Sequence, residues 1–305
     1  MSWLSYNAQW VLLSTLLLGM AAGVVGVLSY WKRQSLMSDT LSHAALPGVV
    51  LGFIAAGSKQ LPIMLLGAAI SALIGAGLVQ WIRSSSRVKE DAAMGIVLSV
   101  FFGLGIMLLT YANRMPGGGQ SGLDHFIFGQ AASMLRSDVI LLTVLAVIVL
   151  LLVLVLFKEW KLALFDASFA RGLGLSVNAM NGLYTALLVL VIVIGIQAVG
   201  VILIAALMII PAVSARYWTD SFGKMVMLSA CFGGGAGMSG TLLSTFGKGW
   251  PTGPFIVITA AAMFIVSLLL GSSKGLLVIA YQRKRAQLRK ENSLQAGQVV
   301  EGGRG

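Results

Sequence analysis

Charge is scarce in this chain. Only 10% of its 305 residues are Asp, Glu, Lys or Arg, against about a quarter in a soluble domain. Ten residues are acidic, two are histidine and one is cysteine. A lone Cys231 excludes an internal disulfide and any cysteine-built metal cluster; in its apolar segment it reads as packing. Scarce charge also excludes a solvated globular surface. No basic stripe with interleaved aromatics is present, so the net charge of +11 does not read as nucleic-acid binding. No basic region precedes the first apolar run, and that run is long enough to span, so no cleavable leader is expected.

What remains is apolar: 58% of the residues, with a mean hydropathy of +0.92 and 37 glycines. That composition predicts an all-α polytopic membrane protein, since helices satisfy their own backbone in lipid and glycine lets them approach closely. Apolar runs near 20 residues predict nine spans. They cover 9–30, 35–56, 62–81, 92–111, 139–157, 181–196, 199–215, 225–246 and 254–270. Only Gln197-Ala198 separates the sixth from the seventh. Those two are therefore a tight hairpin or one broken helix, and the latter would leave eight. A transmembrane domain over 1–272 and a basic, flexible tail over 273–305 are expected.

Lys and Arg set the orientation. Lys32 and Arg33 follow span one; Arg83, Arg87 and Lys89 follow span three; Lys158, Lys161 and Arg171 follow span five. Arg216 and Lys224 follow span seven, and the tail from Lys274 carries seven basic and two acidic residues. The alternate loops are poorer. This places the N-terminus outside and the C-terminus in the cytosol.

Nine acidic residues fall in loops, at span edges or in the tail; Asp39 alone begins a stretch that reads as span. His43 follows four residues later, within "SLMSDTLSHAALPG". On a helix these two share a face. A carboxylate and a neutral imidazole suit a borderline divalent cation, and ionisable groups within a span usually face a pathway. Ser42 adds a hydroxyl, and Pro47-Gly48 can free a carbonyl. The plainer reading is Asp39 as a helix N-cap with a solvated His43. Two ligands do not complete a site, so water, other helices or a second subunit would supply the rest. Asp124-His125, in the long outer loop, is a second candidate metal contact; the plainer reading is a solvent-exposed pair or a cap.

Two glycine motifs lead nowhere. "CFGGGAGMSG" has no Gly-Lys-Ser/Thr ending, so it is not a phosphate loop. "GMSG" would need a general base, and no histidine follows His125. Gly233 and Gly237, four apart, predict close helix packing instead.

"SLMSDTLSHAALPGVVLGF" resembles the second-helix signature of permease subunits of ABC transporters for Mn²⁺, Zn²⁺ and Fe²⁺, the ABC-3 family, except that Ser38 stands where the family usually has Gly. "RVKEDAAMGIVLSVFFGLGIML", "GLDHFIFGQAASMLRSD", "LFDASFARGLGL" and "QAVGVILIAALMIIPAVSARYWTDSFGKMVMLSA" are similar to later family segments in the expected order. The likeness covers about Trp10–Leu270. It implies an importer subunit in the bacterial plasma membrane. Two permease chains, identical or paralogous, would form the pathway, driven by cytosolic ATPase subunits and fed by an extracellular or periplasmic metal-binding protein. No resident cofactor is implied, and Mn²⁺ stands slightly ahead of Zn²⁺ as cargo. Asp39 and His43 become the pathway ligands. Phe165, Asp166, Phe169, Ala170, Arg171, Gly172, Leu173 and Gly174 become the segment that docks on the ATPase. The spacing of Phe165, Phe169 and Leu173 predicts an apolar stripe for a partner's groove; the plainer alternative is a helix lying at the headgroups. A stand-alone metal channel or secondary transporter, and an importer of metal chelates, are the competing functions.

Overall fold

In the computed structural model the described residues are 6–57, 60–114, 129, 134, 136–247, 250–279 and 287; they include no strand. The helices are α1 (Tyr6–Trp31), α2 (Ser35–Ala56), α3 (Leu61–Ser85), α4 (Glu90–Arg114), α5 (Arg136–Val155), α6 (Phe157–Phe165), α7 (Ala167–Gly172), α8 (Val177–Val199), α9 (Val201–Arg216), α10 (Phe222–Thr245) and α11 (Thr252–Leu270). Eight of these are long and apolar enough to cross a membrane, and α9 is shorter. Most of the expected tail lies outside the described residues.

Lipid offers no hydrogen bonds, so polar groups in a span must be satisfied from within. The hydroxyls do this locally. Ser42 donates to the Ser38 carbonyl (2.7 Å), Ser214 to Ile210 (2.8 Å) and Ser239 to Gly235 (2.6 Å). Large apolar side chains such as Ile70, Val100, Met107, Val144 and Leu154 are exposed along α3, α4 and α5. A water-facing surface would not tolerate so large an apolar face, whereas lipid does.

The centre is built on close backbone approach. On α1 and α10, a Cβ added at Gly233 would stand 2.1 Å from the Gly19 carbonyl oxygen, so only glycine fits there. Ser229 donates to the Gly23 carbonyl across the same seam (2.7 Å), and Thr241 to the Thr15 hydroxyl (2.9 Å). The close packing expected of Gly233 and Gly237 is present. Cys231, expected to pack, is instead exposed on α10.

Contacts between helix ends sort the chain into two faces. Arg136, opening α5, lies over the Trp10 ring near the start of α1, at 5.8 Å. On the opposite face, Trp31 at the end of α1 meets Phe165 and Phe222. There too Lys32 donates to Asn181 near the start of α8. The Ser273 and Lys274 amides, past α11, donate to the Tyr217 carbonyl (3.0 and 3.1 Å).

The break after α8 is not at Gln197-Ala198. The helix runs through both and ends at Val199, and Gly200 holds φ 97°, ψ 160°, a conformation almost reserved for glycine. A Cβ at Gly195 would stand 2.2 Å from Ile204 Cδ1. Nine residues along a straight helix are about 13.5 Å apart. The chain therefore folds back at Gly200, giving the hairpin rather than a continuous broken rod.

Candidate metal site

Gln34 is the N-cap of α2, and Ser35 is its first residue. Asp39 is therefore inside the helix and is not its cap, which removes the plainer reading of that residue. At about 1.5 Å per residue His43 lies roughly 12 Å from the helix start. Asp39 Oδ1 stands 3.6 Å from His43 Nε2, with 38% of the Asp39 side chain exposed and 14% of that of His43. A cation about 2.1 Å from each atom would subtend an angle of about 120°, within reach of tetrahedral-type coordination.

The surroundings define what else can ligate. Phe102 of α4 meets the His43 ring edge-on, with centroids 4.8 Å apart, and walls one side. His43 Nδ1 is buried without a hydrogen-bond partner. Ser42 is fully buried and its hydroxyl proton goes to the Ser38 carbonyl, so it has no proton to give the pair. Pro47 sits inside α2. It has no N–H, so the His43 carbonyl, four residues back, lacks its helical donor and keeps both lone pairs. Beside it, Ser71 of α3 donates to the Ala44 carbonyl (2.6 Å), which holds α3 against the proline turn. Among the described residues no three of His, Cys, Asp and Glu gather into a cluster. Asp124 and His125 lie outside the described residues.

A polar cavity of about 380 Å³ opens at the face carrying the α1–α2 turn, beyond the first turn of α2. Lys32, Gln34, Gln80, Arg83, Glu90 and Asn181 line it, with Met37 and Leu164. It does not include Asp39 or His43. Glu90 is its hub: it accepts from Gln34 and pairs with Arg83 at 3.3 Å. Burial pushes the Lys32 ammonium below its usual range; the nearby Glu90 partly opposes this and Arg83 adds to it.

The segment from Phe165 to Gly174 lies on that same face. The expected stripe is divided. Phe165 ends α6; Asp166 leaves helical geometry (φ −144°, ψ 81°) and caps α7; Leu173 lies past its end. Phe165, Phe169 and Leu173 are all exposed, Ala170 is buried, and Gly174 turns the chain at φ 83°. Asp166 accepts from the Phe169 amide (2.9 Å) and the Ser168 hydroxyl (2.8 Å). These bonds, the amide first, hold its carboxyl below the ordinary range. Sequence spacing missed the break because an Asp with helix formers on both sides also fits a continuous helix.

With this geometry in place, comparison with known proteins is informative. The model of the ABC 3 transport family matches residues 5–271. The chain is 49% identical over 283 residues to the manganese transport system membrane protein MntC of Bacillus subtilis (strain 168), covering 93% of this chain. It spans 65% of that relative's length. It is 43% identical over 286 residues to the zinc transport system membrane protein TroC of Treponema pallidum (strain Nichols), covering 94% of this chain and 96% of that protein. The solved structure of PsaBC from Streptococcus pneumoniae in complex with Fab superposes with a TM-score of 0.78 at 33% identity, covering 90% of this chain and 96% of the other.

Proposed function

This chain belongs to the ABC 3 transport family, and on that premise we propose that it is the permease subunit of a binding-protein-dependent importer of divalent transition-metal ions. It is a multi-pass protein of the bacterial plasma membrane. The observation that carries the reading is the Asp39–His43 pair, 3.6 Å apart on a packed helix that carries no other charged side chain. Manganese is the favoured cargo, with zinc and iron as competitors. The names of the two relatives support manganese and zinc.

The face carrying the α1–α2 turn, α6, α7 and the start of the tail is cytosolic in this reading, because Lys and Arg are densest there. The N-terminus is then outside and the chain crosses nine times, α9 returning from the Gly200 reversal. Residues 1–272 form the pathway. Two side-chain donors leave coordination positions for water, for the His43 carbonyl and for a second permease chain. Ion binding at such a site is moderate, which permits release.

ATP hydrolysis belongs to a separate cytosolic chain that docks on the Phe165–Gly174 segment, with Phe169 and Leu173 presenting exposed apolar side chains. An extracellular or periplasmic protein delivers the ion. Purification from native membranes tests this against a stand-alone channel or secondary transporter. An ATPase retained at one-to-one stoichiometry is expected, and metal uptake that needs neither ATP nor that chain would refute it. Competition among manganese, zinc, iron and a bulky iron chelate identifies the cargo.

A further inference from the structure

The expected docking segment meets the bundle through the buried Trp160 of α6 and Ala170 of α7. At the end of α6, on the near side of the Asp166 break, it also makes a ring contact. Phe165 packs on Trp31 with centroids 4.8 Å apart and planes at 59°. The same pocket holds Phe222 of α10, 6.0 Å from Phe165 and 6.5 Å from Trp31. Phe157 stacks on Phe222 at 5.3 Å, and the Arg216 guanidinium lies 5.4 Å from the Trp31 ring. Four elements, α1, α6, α9 and α10, thus meet on Trp31.

Trp31 is the last residue of α1, and α2 begins four residues later. The connection is short and internally bonded. Lys32 N donates to the Leu28 carbonyl, Arg33 N to Tyr30 and Gln34 N to Ser29, all at 2.9–3.0 Å. Arg33 holds φ 58°, the left-handed position that closes such a helix end. Gln34, the N-cap of α2, is tied onward to Glu90 of α4. A turn with this many bonds has little slack. Displacement of the Trp31 backbone is therefore passed to the start of α2, and so toward Asp39, eight residues on in the chain.

We infer that Phe165 and Trp31 are a positioning pair that passes movement of the docking segment to the metal-bearing helix. The segment then divides its work at Asp166. Phe169 and Leu173 lie on the far side of the break and face the partner. Phe165 lies on the near side and faces Trp31. The inference rests on the ATPase docking proposed above, and it adds the route by which docking reaches the ligands. Neither residue touches the ion.

The test uses the complete complex in proteoliposomes, reading metal delivered and ATP hydrolysed in the same vesicles. Trp31→Leu keeps an apolar side chain but removes the ring and part of its volume. An aromatic pair contributes enough to change a two-state balance up to about tenfold. Trp31→Leu is therefore expected to retain the ATPase and keep hydrolysing ATP while metal delivered per ATP falls about tenfold; Trp31→Phe is expected to recover most of that ratio. A lost ratio that Phe restores is not the signature of a merely structural residue, which would lower both rates together. Phe165→Leu gives a second approach should Trp31→Leu fold poorly. The double variant is expected to lose no more than the worse single one. An unchanged ratio with the ATPase retained, or losses that simply add, would overturn the inference alone. Failure of the wild-type chain to retain an ATPase would overturn the functional reading and this inference with it.

Discussion

Asp39 Oδ1 and His43 Nε2 face each other across 3.6 Å, one turn apart, inside α2 rather than at its end. That placement decides how the pair is read. A carboxylate at a helix terminus needs no functional account, because capping explains it. One in the second turn of a bundle helix, beside an imidazole with an unpartnered buried Nδ1, has no such explanation.

Ser42 provides a first check on where the site ends. Its hydroxyl is committed to the Ser38 carbonyl. Ser42→Ala is expected to leave metal uptake within about twofold of wild type, because a hydroxyl bonded only to its own helix contributes at most about 1 kcal/mol. A loss as deep as that of an Asp39 variant would make Ser42 a ligand.

The α1–α10 seam predicts an asymmetry between glycines. Gly233→Ala must move a backbone carbonyl that stands 2.1 Å from the new Cβ, whereas nothing lies within 4 Å of a Cβ at Gly95. Gly233→Ala is expected to cost about 1–3 kcal/mol or more, and Gly95→Ala to be neutral or to stabilise by up to about 1 kcal/mol. Denaturant unfolding in detergent measures both. Equal costs would mean the seam is looser than described.

Asp166 predicts a pH effect on the Phe165–Gly174 segment. Its folded carboxyl is held below the ordinary value by the Phe169 amide and the Ser168 hydroxyl. The cap is therefore fully present above the ordinary carboxylate range near pH 4, and is lost as pH falls through the lower folded value. Asp166→Asn is expected to keep α7 ordered and to remove this acid sensitivity, while Asp166→Ala loses the cap at every pH. Hydrogen exchange at the Phe169 amide reads the difference. Unchanged acid sensitivity in Asp166→Asn would assign it to another group.

Much of this was legible in the sequence, and the failures are instructive. Apolar runs located every long helix, because lipid demands length and hydrophobicity from each. The ends were too short: α4 runs from Glu90 to Arg114, since charged residues extend into the headgroup layer without ending a helix. The α8–α9 break was expected at the polar Gln197, yet a buried bundle tolerates that residue within a helix. The backbone of Gly200 is what turns the chain. The shared face of Asp39 and His43 followed from i,i+4 spacing. The contact between Trp31 and Phe165 did not, because no local pattern links positions 134 residues apart that meet only on folding. The polar cavity was equally invisible, being assembled from α2, α3, α4, α6, α8 and the α1–α2 turn.

The central claim is that Asp39 and His43 hold the ion in transit, and metal accumulation tests it most directly. Asp39→Ala and His43→Ala, each expressed at the wild-type level with the ATPase bound, should each lower manganese uptake at least about tenfold. Wild-type uptake in both variants would contradict it.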